Sequence, residues 1–162
     1  PYTAEKYIAL VDCIRVAKPD VAITSDVIVG FPGEDETDYA ATRDLVSHVQ
    51  FDNAFIFRYS TRAETPAATM LNQVAESAKE ARNQDLLRVV DESAHRANNR
   101  LVGRELEILC EGPSRHNAAR LMGRTRTNKI VVFEDSGDRA GQLMKVRVEQ
   151  ANGFSLYGTP VV

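Results

Sequence analysis

At Gly103 the hydrophobic rhythm of this chain changes, and one layer of structure cannot serve both halves. Upstream, Leu86, Val90, Ala94, Ala97 and Leu101 recur at helical spacing within a run, 74–102, that holds no Gly or Pro. Downstream, Arg104–Cys110, Lys129–Glu134 and Leu143–Glu149 alternate apolar and polar residues with period two. Periods of 3.6 and 2 bury different kinds of face, so the chain reads as two units. The expectation is an α/β region over 1–99 that includes a long connecting helix, then a small β-barrel over 100–162.

The first unit reads in the order helix, strand, helix, strand. Thr3 is placed to cap a helix carrying Tyr7, Ile8, Val11 and Ile14, which ends at Lys18-Pro19. A strand over Val21–Val29 follows and stops at Gly30-Phe-Pro-Gly-Glu34. Thr37 is the expected cap of a second helix buried through Tyr39, Leu45, Val46 and Val49. Asn53–Ser60 is an aromatic, β-branched second strand. Strands alternating with helices at this spacing call for a parallel pair with helical crossovers. A parallel sheet is normally covered on both faces, so two such strands leave an incomplete sheet. Asp26 stands out as an acid in a segment that otherwise wants burial. The carboxyl end of such a strand is where α/β folds bind ligands.

In the second unit five short strands fit into about sixty residues, separated by loops rich in Gly, Asn and Asp, as in a small OB-like barrel closed on itself. Its densest cationic segment is Arg120-Leu-Met-Gly-Arg124-Thr-Arg126-Thr-Asn128-Lys129. In an extended chain positions 120, 122, 124 and 126 share a face, so three guanidiniums would line up for phosphates, with Asn128 beside them for a base or sugar. Arg115, His116 and Arg147 would extend that patch. The bland reading is a solvated barrel edge.

Charge divides with the periodicity. Residues 1–99 carry 10 basic against 16 acidic groups, net −6, and residues 100–162 carry 10 against 7, net +3, which points the barrel towards an anionic partner. No apolar run approaches a membrane span. Cys13 and Cys110 match no metal spacing and fit buried, reduced thiols of a cytosolic protein. His48, His95 and His116 have no partners in the sequence that would make them catalysts. No catalytic residue and no metal ligand is assigned.

These segments together resemble the C-terminal part of a radical S-adenosylmethionine (SAM) methylthiotransferase, in the branch that makes 2-methylthioadenosine in tRNA. Y-T-A-E-K-Y-I-A-L-V at Tyr2–Val11 and T-S-D-V-I-V-G-F-P-G-E at Thr24–Glu34 are similar to a barrel helix and the strand and loop after it. F-D-N-A-F-I-F-R-Y-S-T-R-A-E-T-P-A-A at Phe51–Ala68 resembles the next strand and its exit loop. G-R-T-R-T-N-K-I-V-V-F at Gly123–Phe133 resembles the appended TRAM barrel, the family's RNA-binding module.

The resemblance implies a partial (β/α) radical SAM barrel followed by a TRAM β-barrel. It implies, for the full-length enzyme, SAM and two 4Fe-4S clusters and the methylthiolation of C2 of an isopentenylated adenosine beside the anticodon. The reaction would run through reductive SAM cleavage, hydrogen abstraction and sulfur insertion with methyl transfer. With two cysteines this chain departs from the family's CxxxCxxC loop and from its second cluster. The expectation is therefore an inactive piece that binds no cofactor stably, supplying tRNA binding and one wall of the SAM pocket. The resemblance places Asp26, Ile28 and Phe57 at that wall, and Arg120, Arg124, Arg126, Asn128 and Lys129 on RNA. Expected partners are the tRNA anticodon stem-loop, the missing N-terminal part of the enzyme and, over its open sheet edges, a second copy of the chain. No membrane partner is expected. The competing readings are a stand-alone nucleic-acid-binding module and a piece of a ribosomal-protein methylthiotransferase.

Overall fold

The computed structural model describes residues 2–115 and 117–161, so His116 lies outside the described residues. The elements are α1 (Ala4–Ala17), β1 (Thr24–Val29), α2 (Glu36–Val49), β2 (Asn53–Arg58), a 3-10 turn at Pro66–Thr69 and α3 (Glu76–Asn99). Five strands follow: β3 (Glu105–Pro113), β4 (Leu121–Thr125), β5 (Ile130–Phe133), β6 (Leu143–Ala151) and β7 (Ser155–Pro160). The chain divides into two compact units, the first ending at Ser93 and the second starting at Ala94.

In the first unit β1 and β2 pair in parallel, with Asp26 opposite Phe55 and Ile28 opposite Phe57. Thr3 caps α1 as expected, accepting from the Lys6 amide at 3.4 Å. The second helix is capped two residues before Thr37. Asp35 Oδ1 accepts from the amides of Thr37 and Asp38 at 2.8 and 2.9 Å, and Asp38 accepts from the Asp35 amide. The aspartate prevails because its extended backbone aims a carboxylate back over the first turn, completing a reciprocal capping box. The first strand starts at Thr24 rather than Val21. Val21 donates instead to Lys18 O in a turn, and Ile23 and Asp52 exchange hydrogen bonds at the foot of the sheet.

Alternation then sorts the strand residues. Val27, Val29, Ala54 and Ile56 pack with Val11, Val46, Val49, Leu86 and Val90 in the core. Asp26, Ile28, Phe55 and Phe57 point to the other face and are exposed, Ile28 by 56% and Phe57 by 50%. Cys13 is exposed on α1, against the expectation of a buried thiol, because it lies on the face of that helix away from Val11; Cys110 is buried and both are free.

The second unit is a closed barrel in the order β3-β4-β5-β7-β6, with β6 returning to β3. Only β5 and β7 run parallel among its pairs. This is the strand order of an OB-type Greek-key barrel. Ile108, Cys110, Val131, Phe133, Val146, Val148 and Leu156 fill it. The C-terminal turns of α3 belong with it: Asn98 donates to the carbonyls of Asn152 and Gly153 at 3.0 and 3.2 Å. Gly103, at φ +85, ends the helical segment and donates to Val148 O at 2.8 Å.

Candidate nucleic-acid interface

β4 alternates a small inward residue with outward side chains. A Cβ on Gly123 would stand 2.5 Å from Leu109 O, so β4 lies close against β3. Arg120, Met122 and Arg124 face outward together and line a groove of about 380 Å³. Its apolar floor is Met122 with Ile130 and Val132 of β5, and its far wall is Tyr157 of β7. The two ends are closed by loops, Ser114, Arg115 and Asn117 after β3, and Phe154 between β6 and β7. The face of the second and third strands together with these two loops is where OB-type barrels take oligonucleotides.

Arg126 leaves this alternation. β4 stops at Thr125, and residues 125–128 make a turn closed by the Asn128 amide on Thr125 O at 2.9 Å, with Asn128 at φ +61. Arg126 therefore stands 82% exposed on the turn rather than third in a row. Asn128 is engaged within the protein, its Oδ1 accepting from Arg124 at 2.9 Å. Lys129 sits at the start of β5 with its amide on Thr125 Oγ1. Arg147 is on β6, paired with Glu105 at 2.7 Å, and is not among the groove's lining residues.

Each of the three expected phosphate ligands holds a glutamate. Arg120 pairs with Glu134 at 3.0 Å, Arg124 with Glu111 at 3.1 Å and Arg126 with Glu107 at 2.7 Å. These pairs are solvent-accessible and open at small cost. The aromatic side of the groove was missed in the cationic reading of the sequence. Phe154 is 69% exposed, at a turn where Asn152 Oδ1 accepts from the amides of Phe154 and Ser155 at 3.1 and 2.7 Å. The signal available beforehand was Asn152-Gly-Phe154, an aromatic placed directly in a polar turn.

In the first unit the G-F-P-G-E loop is fastened to α3. Glu34 Oε1 accepts from the Gly30 amide at 2.9 Å and from Arg82 at 2.7 Å, and Arg82 also reaches Glu36. Lys79, buried beside it, donates to Tyr59 O at 3.3 Å and lies over the Tyr59 ring. Glu34 is thus a tie between loop and helix. On the uncovered sheet face Phe55 and Phe57 stack at 6.3 Å, and Ile28 is the register partner of Phe57. That surface suits an apolar ring. Among the described residues no group of three or more His, Cys, Asp or Glu is placed to hold a metal ion, and an iron-sulfur cluster does not fit the donors present.

Residues 99–161 match the family model described as TRAM domain. The chain is 57% identical over 160 residues to a tRNA-2-methylthio-N(6)-dimethylallyladenosine synthase of Akkermansia muciniphila, covering 99% of this chain and 35% of that protein. Proteins of the same name from Fusobacterium nucleatum and Clostridium novyi are 46% and 43% identical over 97% of the chain, which covers 36% and 35% of their lengths. The chain belongs to this methylthiotransferase family. It spans about a third of the length of the curated relatives it matches, and its barrel is a TRAM domain. No described helix of this family member is long and apolar enough to cross a membrane.

Proposed function

We propose that this chain is the tRNA-holding portion of a cytoplasmic tRNA methylthiotransferase, with RNA bound in the groove of the TRAM barrel. The observation that carries this is the meeting of two guanidiniums, Arg120 and Arg124, with an apolar floor and two aromatic side chains in one groove. Phosphates take the guanidiniums, and an unstacked base lies on Phe154 or Tyr157. Such a surface suits single-stranded or looped RNA, as in an anticodon loop, better than a regular helix whose bases are stacked away. Arg126, Asn128 and Lys129, at the adjoining turn, extend the backbone contacts.

In the whole enzyme SAM, when bound, supplies the methyl group and the radical. The chain's own contribution there is one wall, with Ile28 and Phe57 packing on the adenine and Asp26 beside them. The clusters are held elsewhere in the protein, consistent with the absence of a thiol set in this sequence. Ile28→Asp, placed in a full-length relative, should weaken SAM binding by equilibrium dialysis. Unchanged affinity would remove Ile28 from the wall.

The deciding experiment titrates the 162-residue chain with unfractionated tRNA over a KCl series, alongside Arg120→Ala and Arg124→Ala. Salt-sensitive binding that weakens in both variants is expected, with a flatter salt slope in each. Salt-independent affinity, or no loss in either variant, would leave the groove a solvated surface.

A further inference from the structure

The glutamates of the barrel face are as ordered as its arginines. Arg120, just before β4, and Arg124, within it, are each held from a different side. Glu134 reaches Arg120 from the end of β5, and Glu111 reaches Arg124 from β3. The Arg120 pair also stands between cavities, since Arg120 lines both the groove and a neighbouring one of about 310 Å³ that Glu134 borders.

We propose that Glu111 and Glu134 are selectivity determinants of the RNA groove, built-in competitors that a phosphate must displace before it can take either guanidinium. This rests on the groove binding RNA. A phosphate that displaces one carboxylate leaves that negative charge a few ångströms away, where it offsets much of the new contact. A polyanion presenting phosphates singly therefore gains little. A strand that seats two phosphates at once and also lays a base on the apolar floor gains enough to open both pairs. The neutralised arginines also release fewer counterions than free ones, so the salt slope falls below what two phosphate contacts would give. Charge is spent to suppress binding of any polyanion, and shape decides what binds.

The test is Glu111→Gln combined with Glu134→Gln in the 162-residue chain, which keeps the side-chain size and removes the charge. Probes are unfractionated tRNA and a 20-base-pair DNA duplex, followed by fluorescence anisotropy across KCl, with a circular dichroism melt to verify folding. Glu80→Gln removes one charge from the exposed side of α3 as a control for net charge. The double variant should bind tRNA about threefold to tenfold more tightly, with a salt slope steeper by about one. Its gain for duplex DNA should be larger, so that the tRNA-to-DNA ratio narrows. Unchanged or weaker tRNA binding by the double variant would overturn the proposal and make the glutamates supports that orient the arginines. An equal gain in Glu80→Gln would also overturn it, leaving only an effect of net charge. If the unmodified chain binds no tRNA, the RNA-binding reading itself falls; normal binding with an inert double variant removes this inference alone.

Discussion

Arg82 and Glu34, 48 residues apart, meet at 2.7 Å with side chains only 7% and 12% exposed. The same Glu34 oxygen accepts from the Gly30 amide, so one carboxylate joins the end of β1 to α3. Loss of one partner of a buried pair leaves the other charge without compensation, which costs about 3–5 kcal/mol. Arg82→Ala should lower the stability of the first unit by about 3 kcal/mol in urea unfolding, well beyond the ~1 kcal/mol scale of an exposed ion pair. Arg43→Ala, which loses the more exposed pair with Asp85, serves as the reference. Equal effects of the two variants would deny the Arg82 contact its special weight.

Asp85 and Tyr39 predict opposite pH effects. The Tyr39 hydroxyl donates to Asp85 at 2.8 Å, and this bond, followed by that from Arg43, holds the Asp85 carboxyl below its ordinary range. A depressed carboxyl stabilises the fold above its unfolded pKa, near 4, and loses that contribution as pH falls through the folded value. For Tyr39, burial and then the bond to Asp85 push the phenol upward. Its contribution is complete below about pH 10 and is lost as pH rises through the folded value, by up to about 1.4 kcal/mol per pH unit. Asp85→Asn should flatten the acid limb of a thermal-melt pH profile, and Tyr39→Phe the limb above pH 10. A profile unchanged in either variant would mean that the group does not titrate with folding.

What could be read in the sequence was whatever depends on neighbours in the chain. Period-two alternation located the five barrel strands, and Thr3 announced its helix. Arg120, Met122 and Arg124 fell on one face because β4 is extended across them. Arg126 did not follow, since Thr125–Asn128 is a turn whose left-handed Asn128 the local pattern did not reveal. Partners distant in sequence were invisible. Glu111, Glu134 and Glu107 reach their arginines across 13, 14 and 19 residues, and the register that joins them is set by the barrel. Lys79 and Arg82 lie outside the apolar stripe of α3 that the spacing marks, yet both are buried within the first unit. Long aliphatic stems with charged tips can cover apolar surface when a partner waits at the end.

Gly158 predicts a steric failure of barrel closure. A Cβ there would lie 2.1 Å from Arg147 O on β6, a backbone atom that cannot turn aside. Gly158→Ala should cost about 3 kcal/mol or more and separate β7 from β6. Gly141→Ala is the contrast: its φ is +78, but nothing lies within 4 Å of the added methyl. It should cost only the ~1–2 kcal/mol of a left-handed residue with a side chain. Thermal melts of the two variants decide the matter, and equal losses would mean that conformation rather than contact governs Gly158.

Phe154 separates stacking from charge in the groove. Its ring is exposed, and its turn is fixed by the amides of Phe154 and Ser155, which both donate to Asn152 Oδ1, so little ordering remains to be done when a base arrives. A base stacked on an aromatic ring contributes about 1–3 kcal/mol, so Phe154→Ala should weaken tRNA binding by roughly 5-fold to 150-fold. The ring carries no charge, so the salt slope should stay that of the unmodified chain. Arg124→Ala should lose affinity and flatten the slope together. Phe154→Trp should restore binding, because any large aromatic face will stack. Anisotropy titrations of the three variants across KCl make the comparison. A Phe154→Ala variant with unchanged affinity would leave Tyr157 as the stacking surface, and one with a flattened slope would mean that the loop positions an arginine rather than a base.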